Sequence, residues 1–534
     1  MPHTRDSTGS SPPQYATWGP HAGEQTTSPL QENSFKTVDW NLDDTIPETH
    51  DRRTIVMCFD GTGDQFDDDN SNVVNFFSML KKDDCTQQLV YYQSGIGTYT
   101  VPQIARPIKA KLQKLLDMMI GIHLDAHVMS GYEFLMQNYQ SGDKICIFGF
   151  SRGAYTARAL AGMIHKVGLL PRHNHQQVPF AYKMYSREDE RGWQQSGTFK
   201  QAFSIDVDIE LLGVWDTVGS VGVIPKRLPF TTSNTHVKYF RHAIALDERR
   251  ARFMPNFWHR QTAAEKKLGL PPGSMPKSRP RPRKKESEKK EKQEKDKEKD
   301  DKPFLEQKKS LRELERKYSG DGELVTDVEE VWFAGCHCDV GGGAVPNATR
   351  NNLARIPLRW MVRQCFLLET GILFHRDMLR LIGMDPSTLH PEVKPRPSPT
   401  TEIRNSMTAS TSTCVERPKP KHRHSIFEEG FIDEEDEDIK DALSPINDML
   451  RKAPLWWILE VLPQKLKYQK GKEEDWVQQI LWGNMGRARH VPSRHGVKIH
   501  RTVKLRMEAE AEALKLKKKY TPKPKWDFEP IWVD

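Results

Sequence analysis

The feature that most narrows the fold is a succession of six short apolar runs: TIVMCF (54–59), QLVYY (88–92), KICIFGF (144–150), IELLGVW (209–215), YFRHAIAL (239–246) and EVWFAGC (330–336). They are bounded by Gly, Asp and Ser, as strands buried in a parallel sheet require. Between them Asn72–Lys82, Ile104–Met119, Ile122–Tyr139 and Arg152–Val167 carry apolar residues at helical spacing. Strands alternating with helices predict an α/β fold, a mostly parallel sheet flanked by helices. Ligands of such sheets bind outside the carboxyl ends of the strands, so chemistry is sought there.

The third run leads straight into GFSRGAYTARALAGMI, placing Gly149, Phe150, Ser151, Arg152 and Gly153 between a strand and an Ala-rich helix. G-x-S-x-G in that setting is a nucleophile elbow: the serine sits on a sharp strand-to-helix turn and the small flanking residues let backbone approach it. A serine hydroxyl needs a base, and the base needs an acid to orient it, in the chain order Ser, Asp, His. Asp216 ends the fourth run in VWDTVGS, and His337 follows the sixth in AGCHCDVGGG. Ser151, Asp216 and His337 are therefore the expected triad. Asp247, after YFRHAIAL, is the alternate acid, and Asp339 is expected to orient the Gly-rich turn.

Other strand-end residues fill secondary roles. CFDGTGD after the first run offers backbone N–H groups around Gly61 and Thr62 which, with that of Arg152, would line an oxyanion hole. The same motif is close to the D-x-D-G-T of aspartyl-phosphate phosphatases, but Cys58 stands where their nucleophilic Asp must be. Cys336, His337 and Cys338 have no second ligand pair at zinc-like spacing, and DQFDDDNSN (64–72) reads as a solvated loop, so neither metal nor cofactor is expected.

DGTGD, GFSRGAYTARALAGMI, VWDTVGSVG and WFAGCHCDVGGG together resemble the α/β-hydrolase family that includes the catalytic domains of bacterial type VI secretion phospholipase effectors, and most resemble its fungal branch. The resemblance runs from about Ile55 to about Phe366. It implies an α/β-hydrolase fold, a triad of Ser151, Asp216 and His337, and a lipid ester as substrate. Two alternatives stand beside it: an inactive scaffold that binds a protein partner, and a cytosolic esterase for small esters.

The rest of the chain is of another character. The formal net charge of +8 suggests an anionic partner. Lys277–Lys302, however, alone holds 13 basic and 8 acidic residues with almost nothing apolar, so no nucleic-acid partner is expected. Residues 1–51, rich in Pro, Ser, Thr and Gly, are predicted to be a disordered tail. Residues 271–309 read as a charged insertion in a hydrolase domain spanning 52–385, and 386–442 as a disordered linker ending in EEGFIDEEDEDIKD. RPRPRKK (279–285) has the composition of a nuclear-import signal but sits in this solvated insertion. Seven scattered cysteines, the lack of an apolar leader and the lack of a spanning segment point to a cytoplasmic protein. The last segment, 443–534, is expected to pack on or cover the hydrolase domain. Its APLWWILEVLPQKLKYQKG (453–471) would serve as core, as lid, or as an edge for peripheral membrane contact through Trp456, Trp457, Lys465, Lys467 and Lys470.

Overall fold

Strands β1 (Thr45–Ile46), β2 (Thr54–Phe59), β3 (Gln88–Gln93), β4 (Lys144–Phe150), β5 (Ile209–Trp215), β6 (Val237–Ala245), β7 (Asp327–Phe333), β8 (Phe374–His375), β9 (Pro463–Lys470), β10 (Asp475–Trp482), β11 (Lys498–His500) and β12 (Ile531–Val533) belong to three sheets. The largest runs β12-β11-β7-β6-β5-β4-β2-β3, and every neighbouring pair in it is parallel. All six apolar runs are strands of this sheet. The computed structural model describes residues 44–62, 64–95, 124–219, 228–232, 237–258, 326–397 and 434–534, the last stretch without 462, 471–474, 493–495, 512, 515–517 and 527. The expected helix at Ile104–Met119, the insertion 271–309 with RPRPRKK, most of the tail and residues 398–433 lie outside the described residues.

The helices are α1 (Asn72–Ser78), α2 (Leu124–Asn138), α3 (Ser151–Val167), α4 (Val178–Ser186), α5 (Glu190–Phe203), α6 (His337–Gly341), α7 (Arg355–Leu367), α8 (Arg376–Leu381), α9 (Glu434–Ala442), α10 (Met449–Lys452), α11 (Trp457–Glu460) and α12 (Arg501–Glu508). They cover both faces of the sheet, as its two apolar sides demand. Alternation along the strands shows this. Ile55, Met57 and Phe59 of β2 pack with α2, α3 and α4 in one core, while Val56 and Cys58 pack with α1 and α7 in the other. No described helix is long and apolar enough to cross a membrane.

Three regions differ from expectation. Thr45 and Ile46, placed in the disordered tail, are buried and pair antiparallel with His375 and Phe374. The acidic end of the 386–442 linker is the docked helix α9. Arg355, Arg359 and Arg363 recur every fourth residue on α7 and so share one helical face. That stripe meets the carboxylates: Arg359 Nη2 lies 2.5 Å from Asp438 and 2.7 Å from Asp441, Arg355 Nη1 2.7 Å from Glu437 and Arg363 Nη2 2.5 Å from Glu434. A charge run need not be solvated: here Glu434, Glu435, Glu437, Asp438 and Asp441 each have a counter-ion on another element. Lastly, segment 443–534 does more than pack on the domain, since β11 and β12 extend the main sheet beyond β7.

Candidate active site

The elbow follows from packing at two glycines. A Cβ on Gly149 would lie 2.7 Å from the Ala154 Cα, and one on Gly153 would lie 2.3 Å from the carbonyl oxygens of Phe59 and Asp60. The start of α3 is thus pressed against the end of β2. Between these glycines Ser151 takes φ 58°, a left-handed conformation costly for a residue with a Cβ, and the turn it makes is what turns the hydroxyl off the strand.

That hydroxyl meets His337 at the start of α6: Ser151 Oγ is 2.8 Å from His337 Nε2, and His337 Nδ1 is 2.5 Å from Asp216 Oδ2. All three side chains are buried. Burial holds the His337 imidazole below its usual pKa against the pull of Asp216, while nearby Arg250 pushes the same way as burial. Burial alone would raise the Asp216 carboxyl, but Arg489 and His337 beside it outweigh that and hold it well below the carboxylate range. Such a pair is a neutral base poised on a hydroxyl and an ionised acid that fixes its tautomer.

The alternate acid has a different task. Asp247 accepts from the Gly335 N–H at 2.8 Å, the Tyr520 hydroxyl at 2.7 Å and the Lys523 N–H at 3.1 Å, so it ties the turn before His337 to the C-terminal region. It makes no hydrogen bond to His337; the structure brings Asp216 there instead. Asp339 accepts from the Cys336 N–H at 2.9 Å and caps α6, and from the Asn447 side-chain amide at 2.7 Å. Of the oxyanion candidates, the Gly61 N–H is engaged by Asp60 Oδ1 at 2.8 Å. The Thr62 hydroxyl is buried without a hydrogen-bond partner, and Arg152 opens the first turn of α3.

Several residues around the triad carry no motif. Arg489 grips Asp216 from the far side, with Nη1 2.6 Å from Oδ1 and Nη2 2.9 Å from Oδ2. Glu248 accepts the His337 N–H at 3.2 Å and is held ionised by Arg250. His242 accepts the Thr217 N–H on Nε2 at 3.1 Å and faces Glu330 with Nδ1, also at 3.1 Å, bracing the turn in which Asp216 takes φ 38°. Rings wall the base: Phe150 lies 4.6 Å from the His337 ring, Phe253 4.7 Å from it, and Trp456 5.4 Å beyond Phe253. Trp456 therefore belongs to the wall of the site, whereas Trp457, Ile458, Val461 and Met485 next to it are exposed. The side chains of Lys465, Lys467 and Lys470 lie outside the described residues.

Residues 53–364 match the family described as type VI secretion system phospholipase effector Tle1-like, catalytic domain. An uncharacterized protein of Saccharomyces cerevisiae, YEL023C, is 28% identical over 542 residues, 84% of this chain and 78% of its own length. Among solved structures, an uncharacterized protein from Pseudomonas aeruginosa aligns at 15% identity and a TM-score of 0.31, over 63% of this chain and 48% of that one. The Tle1 effector bound to the VgrG spike aligns at 16% identity and a TM-score of 0.25, over 55% of this chain and 52% of that one. This chain thus spans about half the length of the two solved chains.

Proposed function

The chain belongs to the family of Tle1-like phospholipase effector catalytic domains, and from that premise we propose that it is a serine hydrolase cleaving carboxylic esters of phospholipids through an acyl-enzyme. The observation that carries this is the unbroken chain from Ser151 Oγ to His337 to Asp216, at 2.8 and 2.5 Å, with the serine on a left-handed turn. In the reaction His337 Nε2 takes the hydroxyl proton as Ser151 Oγ bonds to the ester carbonyl carbon. The tetrahedral intermediate collapses, the alcohol leaves with the proton from His337, and water deacylates the serine by the same route. Arg152 N–H and Thr62, with its unpartnered hydroxyl, are the donors offered to the oxyanion. Gly61 would contribute only by releasing Asp60.

The test is labelling by a fluorophosphonate. Wild-type protein should label on Ser151 and Ser151→Ala should not; equal labelling of both would refute the assignment.

A membrane substrate is supported by the exposed apolar group formed by Ile458 (61% exposed), Val461 (59%) and Met485 (58%), two rings away from His337 along Trp456 and Phe253. Co-sedimentation with anionic phospholipid vesicles should capture the wild type and release fatty acid, with binding weakened in Ile458→Ser/Val461→Ser. Turnover of short soluble esters with indifference to vesicles would replace this substrate by a small ester.

A further inference from the structure

We propose that Arg489, outside the family-matched region 53–364, is a positioning residue of the catalytic triad: its charge neutralises Asp216 and so keeps His337 an unprotonated base at neutral pH. The inference rests on the serine-hydrolase reading and adds to it a residue that no motif marks.

The geometry is specific. Arg489 is 3% exposed, and its guanidinium spans both carboxylate oxygens of Asp216 while also donating to the Ala245 carbonyl at 2.8 Å and to the Phe253 carbonyl. Asp216 Oδ1 further accepts the Ala245 N–H at 2.9 Å, and Oδ2 is shared between Arg489 Nη2 and His337 Nδ1. The carboxylate thus accepts four hydrogen bonds, about what its lone pairs allow. Two oxygens bound in parallel by one planar fork is the arrangement arginine makes and lysine does not.

The charges decide the consequence. Asp216 is faced by Arg489 from the segment before β11, by His337 from α6 and by His242 from β6; His337 is faced by Asp216, by Glu248 and Arg250 from the loop after β6, and by Ser151. Glu248 and Arg250 pair with each other 2.9 Å apart, so neither faces His337 as a lone charge. Asp216 with Arg489 is then a neutral buried unit, and His337 can stand beside it uncharged. Without the guanidinium a lone buried carboxylate remains, and its cheapest counter-ion is the imidazolium of His337. The base would then hold its proton to higher pH and could not accept that of Ser151.

The experiment is the pH dependence of the fluorophosphonate labelling rate of the full chain, for wild type, Arg489→Gln and Arg489→Lys. Gln can keep a hydrogen bond to Asp216 without the charge; Lys keeps the charge without the fork. We expect the acid limb of Arg489→Gln to move up by about one pH unit or more, so that labelling falls about tenfold on that limb and recovers toward pH 9. Arg489→Lys should stay within about half a unit of wild type. An unshifted limb in Arg489→Gln, with the same loss at every pH, would overturn the proposal. If Arg489→Gln does not fold, Arg489→Gln/Asp216→Asn, which lacks both charges, decides: recovered soluble protein supports the neutralising pair, and a double variant as insoluble as the single overturns it. Wild type that labels nowhere between pH 5 and 9 brings down the hydrolase reading itself, a result distinct from an unshifted limb.

Discussion

The matched region, 53–364, and the C-terminal region, 434–534, both converge on Asp216, but by different means. In the first, each participant stands at the end of a strand or the start of a helix, and local backbone fixes it: a Gly-lined turn for Ser151, the end of β5 for Asp216, the cap of α6 for His337. In the second, Arg489 arrives from 273 residues away and is held by what it binds. The contrast teaches that residues fixed by local backbone sit in short patterned segments, whereas a charge that pairs with them comes from anywhere the fold can reach.

The sharpest way to break the comparison is to remove the patterned residues. Ser151→Ala or His337→Ala should cost on the order of 10⁶ in kcat with the fold intact, measured by ester turnover beside a circular dichroism spectrum. A residual rate within tenfold of wild type would mean the motif is structural only. Next comes the acid. Asp216→Asn should lose about 10⁴ in kcat, while Asp247→Asn, whose partners are Gly335, Tyr520 and Lys523, should lose less than tenfold. The reverse ranking would move the acid one strand along.

Stability offers a smaller and complementary effect from the C-terminal side. Asp438→Ala leaves the buried Arg359 and Arg396 short of a counter-ion, and should destabilise by about 3–5 kcal/mol in denaturant titration. A loss under 1 kcal/mol would show that α9 is docked by something other than its charges. The mildest effect is with pH. Burial holds His500 down at a pKa of about 3, against Asp438, which pulls it up. The unfolded value is about 6.5, so its contribution is complete above that pH and is lost progressively as pH falls toward 3. Between pH 7 and 5 this amounts to roughly 2 kcal/mol, and His500→Gln should flatten that part of the stability curve. An unchanged slope would assign the acid sensitivity to other groups.

Much of the fold is legible in the sequence, for reasons visible in particular residues. The six runs became strands because buried parallel strands tolerate few polar side chains, and Ser151, Asp216 and His337 came together because strand ends of a parallel sheet share one edge. What was not legible depended on pairing at a distance. EEDEDIKDA reads as solvated because its arginine partners on α7 lie from 71 residues earlier, for Arg363 with Glu434, to 82, for Arg355 with Glu437. Arg489, in MGRARH, has no spacing or neighbour that sets it apart from the arginine two residues before it. Asp247 sits at a strand end like Asp216, and its partners, Gly335, Tyr520 and Lys523, lie 88 to 276 residues on.

The grip of Arg489 on Asp216 also has a meaning in time. Synthesis at about 5–20 residues per second separates the two side chains by roughly 14 to 55 seconds. Only in the later part of that interval, from residue 337 to residue 489, do Ser151, Asp216 and His337 all exist on the nascent chain while Arg489 does not. On the reading proposed above, the base beside Asp216 would be the last part of the site to ripen, once residue 489 has emerged and docked, a delay written into chain order.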